Sequence, residues 1–551
     1  MFDFLDENFD RARASLTGFG DVETLGASRW RWALGERQTL RFRAGSGAWR
    51  LRARVRLSRE DLALHVTVEG KRVVSLGWGA GKPQSWAVDL PAGWSEVEFT
   101  VVGHRNASAA DGRPLAFCVE QLRATEEPAI EEAAMSRALA QAASGRVPGT
   151  FCPLPFTQLF IDGAGDAYPC CDSILDVRDQ DGELGPTPVR AAADLARAWN
   201  SPLQRRLRRE LLLGREPLAC RNCYATERGG ASSLRKLNAY LHDDALRLAK
   251  FVDADGSMSA RPSALDIRFG NACNLKCRMC DPRFSSALIP EFEALTGEDR
   301  SRFRSLDWFR DPGLLDAVAD YCADLTRLLV MGGEATLVPE FVEFLRRLDE
   351  RGLASKIMLT VVTNGTKLRD EVLGLFPRFR SVELTVSLDG TREVHEYLRY
   401  PSKFADIERN LDFLHANADR WNIVSVRFNT AVQANNVFDL PGLCAYLAER
   451  YPRFHHVPYC IMVEHPADLA VSVLPADTRR LAREKLEAFV EAERRRGTAT
   501  RFRELERALG EVARYLETVD TSHLLEDFRR KSAFFDARRG QKNPQPIPGV
   551  S

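Results

Sequence analysis

The sequence predicts an α/β protein built on a partial parallel (β/α)6 barrel with smaller domains around it. Two observations carry that reading. From about 264 to 463, strand-like runs (ALDIRF, RLLVMGG, IMLTVVTN, VELTVSLD, VSVRFNTAV and VPYCIMV) alternate with amphipathic segments such as PEFVEFLRRLDERG and FADIERNLDFLHANA, the rhythm of parallel strands joined by crossover helices. Cys273, Cys277 and Cys280 follow the first of those runs directly, at the strand end where an α/β barrel carries its chemistry.

A chain of 551 residues exceeds what one hydrophobic core organises and divides into several domains. Its hydrophobic share of 44% and charged share of 28% are those of an ordinary soluble protein. Lys plus Arg equal Asp plus Glu at 77 each, so no global field recruits nucleic acid or an anionic membrane, and neither is expected as a partner. No run approaches the ~20 apolar residues that span a bilayer. The start MFDFLDENFDRAR carries acid ahead of any apolar stretch, so a cytoplasmic protein is expected. In that reducing compartment, 12 clustered cysteines point to metal rather than to disulfides.

From about 28 to 125, short period-2 runs such as TLRFR, WRLRARVRL, LALHVTVEG and SWAVDL predict an N-terminal antiparallel β-sandwich, assigned to residues 1–125. Its tryptophans Trp30, Trp32, Trp49, Trp78, Trp86 and Trp94 are read as core or interface filling, with stacking on sugar rings as the alternative. The Ala-rich EEAAMSRALAQAASG makes residues 126–148 a helical linker stopped by Gly145. Residues 149–260 hold a Cys-Pro start, the Gly-rich turn DGAGD and a second cysteine pair, the outline of a small metal-organised domain. The barrel is assigned to 261–470, and 471–551 reads as a highly charged C-terminal helical extension with a Pro-rich tail not expected to order by itself.

In FGNACNLKCRMCDP the cysteines are spaced Cys-x3-Cys-x2-Cys. Three thiolates from one short loop hold three irons of a cubane and leave the fourth open to an exogenous ligand. A structural zinc site is the plainer alternative, but zinc takes four N or S ligands, and Asn271, Asn274 and Asp281 offer no obvious fourth. This spacing, in this place, resembles the radical S-adenosylmethionine (radical SAM) superfamily. The resemblance implies that S-adenosylmethionine chelates the open iron of a [4Fe–4S] cluster through its amino and carboxylate groups. One electron from the cluster then breaks the S–C5′ bond to give a 5′-deoxyadenosyl radical. It also implies cofactor contacts. Gly332, Gly333 and Glu334 in MGGEATL correspond to the segment that meets the amino group, Ser387 and Asp389 in TVSLDG are candidates for the ribose hydroxyls, and Asn429 and Thr430 for the methionyl carboxylate or ribose. Met279 stands where the superfamily usually carries an aromatic residue near adenine, and a thioether still packs on an adenine face. An electron donor such as flavodoxin or ferredoxin is the implied protein partner.

Upstream, CPLPFTQLFIDGAGDAYPCC and CRNCY supply Cys152, Cys170, Cys220 and Cys223, with Cys171 competing for the place of Cys170. By ligand count four thiolates suit a [4Fe–4S] cluster or a zinc ion equally. The Cys-(many)-Gly-x4-Cys element, with Gly165 at its glycine, resembles the twitch and SPASM modules of radical SAM enzymes and implies an auxiliary [4Fe–4S] cluster. In most relatives that module follows the barrel, whereas here it precedes it. Cys118, Cys322, Cys444 and Cys460 are read as core residues, with Cys460, on the last barrel strand, the one to consider as a ligand or hydrogen-atom donor. The functional expectation is hydrogen abstraction from an unactivated C–H bond of a peptide or similar polar substrate, as in a peptide maturase, with the auxiliary cluster assisting oxidation or substrate binding. The alternatives are a radical dehydrogenase or epimerase for a sugar or cyclitol and, in another class, a non-catalytic zinc or iron–sulfur interaction protein.

Overall fold

The computed structural model describes residues 128–173, 185–229, 232–496 and 499–550, together with the strand segments lying between Phe2 and Glu126. Two compact units emerge, one made of Met1–Cys152, Arg206–Pro217 and Leu246–Ser257, the other of Pro153–Arg205, Leu218–Ala245 and Met258–Ser551.

In the first unit, period-2 runs become two antiparallel sheets. One follows the order Phe19–Leu25, Ser28–Leu34, Leu115–Glu126, Trp49–Leu57, Gln84–Leu90, with Phe2–Asp3 also paired to Leu115–Glu126. The other follows Ala14–Thr17, Arg37–Ala44, Gly93–Val102, Ala63–Val68, Lys71–Leu76. Alternate residues Leu51, Ala53 and Val55 in one sheet and Leu64, Val66 and Val68 in the other are buried, as alternation in half-buried strands requires. The side chains of Trp30, Trp32, Trp49, Trp78, Trp86, Trp94 and Cys118 lie outside the described residues. Pro128–Ala143 is helical, and Gly145, with φ +80°, lets the Arg146 N–H turn back onto the Gln141 carbonyl at 2.9 Å.

The second unit is organised by a single nine-stranded sheet. Its strands are β1 (Gln158–Ile161), β2 (Asp166–Tyr168), β3 (Thr187–Pro188), β4 (Ala264–Arg268), β5 (Arg327–Met331), β6 (Met358–Thr363), β7 (Ser381–Ser387), β8 (Ile423–Val432) and β9 (His455–Met462). The spatial order is β3-β2-β1-β4-β5-β6-β7-β8-β9. From β4 to β9 the strands are parallel and sequential, so the βα rhythm becomes an α/β parallel sheet, with helices such as Pro339–Glu350, Phe404–Asn417 and Leu440–Arg450 as crossovers. β1 extends the sheet in parallel with β4, Gln158 opposite Ala264 and Ile161 opposite Ile267, and β2 and β3 continue it antiparallel.

Register separates two faces. Leu265, Ile267, Leu328, Val330, Leu359, Val361, Leu384 and Val386 are buried on one. The opposite face carries Asp266, Arg268, Glu383, Arg427, Asn429 and Tyr459. Helices Ala476–Arg496, Ala499–Thr518 and Leu525–Arg539 follow the last strand. Contrary to the expectation of a loose tail, the segment after them packs: Ile547 is buried, and the Thr478 hydroxyl donates to the Pro548 carbonyl at 2.7 Å.

Candidate iron–sulfur and S-adenosylmethionine site

β4 ends at Arg268, and Phe269 anchors the start of the cysteine loop among Phe309, Phe341 and Phe344, with ring centroids 5.5–5.9 Å apart. Gly270 turns the chain at φ +64°, where an added Cβ would lie 2.5 Å from the Leu306 carbonyl. Asn271 donates to the Pro282 and Phe303 carbonyls, both at 2.8 Å, and Ser285 to the Leu275 carbonyl at 2.7 Å. The loop is therefore shaped by its own buried amide and hydroxyl groups before any iron arrives.

Donors lie beside two of the three sulfurs. The Leu275 N–H lies 3.4 Å from the Cys273 sulfur, Asn364 Nδ2 lies 4.0 Å from the same atom, and Arg399 Nη1 lies 3.8 Å from the Cys277 sulfur. Burial, and then the neighbouring Cys277, push the Cys273 thiol up to about 12. Burial likewise raises Cys277, and raises Cys280 with help from Cys277 and Cys273. Three buried thiols this close do not ionise unaided. Bound iron reverses that balance, because a coordinating cation deprotonates its thiols. Three cysteines on one loop suit three irons of a cubane with the fourth left open, whereas zinc would need a fourth ligand. The residues present fit a [4Fe–4S] cluster, with N–H donors and a guanidinium placed at its sulfur ligands.

The segment after β5 meets the loop at its backbone. Gly333 N–H donates to the Gly270 carbonyl at 3.3 Å and Glu334 N–H to the Ala272 carbonyl at 2.8 Å. A Cβ on Gly333 would stand 2.3 Å from that Ala272 oxygen, so the close approach these glycines permit includes one to the cysteine loop itself. Gly332 has φ +153° and also faces Phe269 and Gly270. The Glu334 carboxylate is 2% exposed and accepts from Thr336 at 2.7 Å, Thr363 at 2.8 Å and the Asn364 N–H at 2.6 Å. It braces the ends of β5 and β6. Asn364 in turn donates to Asn274 Oδ1 at 2.8 Å, and Asn274 to Thr366 at 2.9 Å, closing a network against Cys273.

Asp389, fully buried after β7, accepts from Arg399 Nε at 2.6 Å and from the Ala431 N–H at 2.8 Å. Burial works against the Arg399 charge, yet the Asp389 carboxylate, joined by Cys277 and Cys280 once they are thiolates, holds its guanidinium above its ordinary value. Ser387 and Asn429 are register partners and share the polar face. Thr430 points the other way, buried, with its hydroxyl given to the Leu388 carbonyl at 2.7 Å. Cys460 is the register partner of Thr430 and packs against the apolar cluster containing Val432 and Leu509, on the face away from Asn429. Met279 packs on that cluster and on Val394, Tyr397 and Leu398.

Upstream, the β1–β2 hairpin is tied by Asp162, whose carboxylate accepts from the Ala164 and Asp166 N–H groups at 2.9 and 3.0 Å. Gly165, at φ +80°, leaves no space for a Cβ beside Trp308. The Cys170 segment is held by Ser173, and Asp172 bridges to the CRNCY helix, accepting from Asn222 at 2.7 Å and from the Cys223 thiol at 3.2 Å. The segments carrying Cys170–Cys171 and Cys220–Cys223 are thus brought together across about fifty residues of chain. Cys152 is buried just ahead of the helical turn Leu154–Thr157.

Sequence reasoning missed Asn364 and Arg399, weighed Asn274 only as a zinc ligand, and missed the pairs Asp266–Arg268 (3.2 Å) and Glu383–Arg427 (3.4 Å) on the polar face. A signal existed for some. Charged residues at alternate positions of otherwise apolar strands, as in ALDIR, mark a face turned away from the crossover helices.

The fold and this loop are those of a radical SAM domain. Residues 267–426 match the radical SAM superfamily and residues 152–224 match SPASM, an iron–sulfur cluster-binding domain. Residues 267–426 thus carry a radical SAM domain and residues 152–224 a SPASM-type iron–sulfur domain, which imply S-adenosylmethionine, a [4Fe–4S] cluster and auxiliary iron–sulfur as cofactors. Among curated proteins it is similar to the sporulation killing factor maturation protein SkfB of Bacillus subtilis (strain 168), with 30% identity over 151 residues, 27% of this chain and 32% of that protein. The match therefore spans about a third of the relative's length. Among solved structures it is similar to Streptococcus suis SuiB bound to precursor peptide SuiA (15% identity, 50% of this chain and 61% of that one, TM-score 0.27). It is also similar to a family 35 carbohydrate binding module from Clostridium thermocellum (15% identity, 21% of this chain and 92% of that one, TM-score 0.16). No helix among the described residues is long and apolar enough to cross a membrane.

Proposed function

We propose that this enzyme modifies a peptide, or a similarly polar substrate, by taking a hydrogen atom from an unactivated C–H bond. When bound, the [4Fe–4S] cluster on Cys273, Cys277 and Cys280 supplies the electron that cleaves S-adenosylmethionine to the 5′-deoxyadenosyl radical that abstracts it. The observation that carries the reading is the set of donors around the loop sulfurs, above all Arg399 beside Cys277. Asn429 and Ser387, on the polar face, are left to contact the cofactor directly. Gly332, Gly333, Glu334 and Asp389 shape its seat by fixing the loops, and Met279 closes the adenine side; Thr430 acts through the Leu388 backbone. The paired charges Asp266–Arg268 and Glu383–Arg427 give the same face a polar lining suited to a peptide rather than to an apolar molecule. The name of the curated relative, a maturation protein, supports a peptide substrate.

In this reading Cys152, Cys170, Cys220 and Cys223 hold the auxiliary [4Fe–4S] cluster, with Cys171 the alternative to Cys170. The parallel sheet curls as an open six-unit barrel, the N-terminal sheets of residues 1–125 pack as an accessory sandwich, and the enzyme works in the cytoplasm with a flavodoxin or ferredoxin as electron donor. The test is anaerobic reconstitution, reduction with dithionite and addition of S-adenosylmethionine, with 5′-deoxyadenosine as the expected product. No deoxyadenosine, with zinc bound in place of iron, would overturn it. Replacing Cys273, Cys277 and Cys280 together by Ala should abolish deoxyadenosine and leave one cluster's worth of iron. Iron falling to zero would remove the auxiliary cluster.

A further inference from the structure

We propose that the last helix, Leu525–Arg539, with Gln541 behind it, is a positioning element of the radical SAM cluster that holds the cysteine loop from its outer side. The evidence starts at Arg278, the residue between Cys277 and Met279. Its side chain is 1% exposed, and its guanidinium lies 3.6 Å from the centre of the Tyr397 ring. One guanidinium nitrogen donates to the Asp536 carboxylate and to Gln541 Oε1 at 3.2 Å; Nε donates to the Tyr397 carbonyl at 3.0 Å. The Tyr397 hydroxyl reaches the same Asp536 at 3.4 Å.

A second pair sits beside the first. Arg539, 1% exposed, donates to Glu291 at 2.6 and 3.2 Å, and Glu291 also pairs with Lys276 of the loop at 3.4 Å. The two residues flanking Cys277 therefore both lead to the last helix, Arg278 directly and Lys276 through Glu291. Gln541 completes the link by donating to the Glu396 carbonyl at 3.1 Å, on the helix Arg392–Leu398 that precedes Arg399. Arg399 faces the Cys277 sulfur, so the C-terminal residues grip both the backbone around that ligand and the segment carrying the cation beside it.

A guanidinium this buried is tolerated only with a carboxylate, and the carboxylate comes from 258 residues further along the chain. The docked last helix thus completes the set of contacts that hold the loop. Asp536 touches neither iron nor S-adenosylmethionine in this scheme; it acts through Arg278.

The test uses the full-length, anaerobically reconstituted protein and its Asp536→Asn and Asp536→Glu variants. Three quantities are read: iron release to a chelator, the change in the electron paramagnetic resonance signal of the reduced cluster on adding S-adenosylmethionine, and the melting of the iron-free chain. The second reports only on the cluster with an open iron. For Asp536→Asn the unpaired Arg278 guanidinium lowers the melting of the iron-free chain, and the positioning role predicts in addition, well below that melting temperature, about tenfold faster iron release and a weakened S-adenosylmethionine-dependent signal change per bound cluster; for Asp536→Glu it predicts recovery of both. An Asn variant that matches wild type in iron release and signal overturns the proposal. So does one whose iron-free chain melts lower while its folded form, read well below that melting temperature, holds iron and changes signal as wild type does, since that is a purely structural role. Because the proposal rests on the loop binding iron, a wild-type protein without iron overturns the cluster reading and this one together, whereas the absence of a variant effect overturns this one alone.

Discussion

Arg399 points Nη1 at the Cys277 sulfur from 3.8 Å, and its charge is held in place by Asp389 at 2.6 Å. A fixed cation beside a cluster ligand favours the state with one more electron. Arg399→Gln should therefore lower the midpoint potential of the S-adenosylmethionine-binding cluster by on the order of 50–100 mV. A redox titration followed by electron paramagnetic resonance checks this, and an unchanged potential would show that the charge is screened from the cluster.

Gly333→Ala places a methyl group 2.3 Å from the Ala272 carbonyl, a backbone atom that cannot swing aside. The expected cost is roughly 1–3 kcal/mol of local distortion, concentrated in the cysteine loop. Iron analysis of the reconstituted variant should show loss at the loop while the chain remains folded by circular dichroism.

Glu334→Ala strips the acceptor from two hydroxyls and one backbone N–H in a buried site. Denaturant unfolding should show a loss of about 2–4 kcal/mol, and Glu334→Gln a smaller one because the amide oxygen still accepts.

Burial raises the Asp162 carboxyl from its ordinary 3.8 to about 6, against the lowering effect of its backbone donors. The folded state thus prefers the protonated acid, and the stability this preference adds is fully present below about pH 4 and lost as pH rises through about 6. Asp162→Asn keeps an oxygen for both N–H groups and carries no charge. It should gain on wild type by roughly 1–2 kcal/mol between those values and stay ahead above them, measured by denaturant unfolding at pH 4, 6 and 8.

The strands from β4 to β9 could be read from the sequence because each is an apolar run bounded by Gly, Asn or Pro, and the loop could be read because three cysteines crowd into eight residues. Contacts made between distant segments could not. Nothing local to Arg399 ties it to Cys277, and nothing local to Asp536 ties it to Arg278, because these pairings exist only once the sheet and the last helix are assembled. Thr430 and Asn429 were read together as neighbours in sequence, but adjacent strand residues face opposite sides, and only register assigns the sides. The same parity turns Cys460 away from Asn429 and into the apolar cluster, in keeping with its reading as a core residue.

Gln158–Ile161 lies hydrogen-bonded in register along Ala264–Ile267, so the hairpin that leads to Cys170 and the strand that leads to Cys273 are neighbouring rails of one sheet. Electron tunnelling weakens steeply with distance, and a gap bridged by a backbone ladder does not breathe as a hinged linker would. Any redox traffic between these two cysteine segments would therefore set out from strands held in one register, not from two bodies joined by a linker.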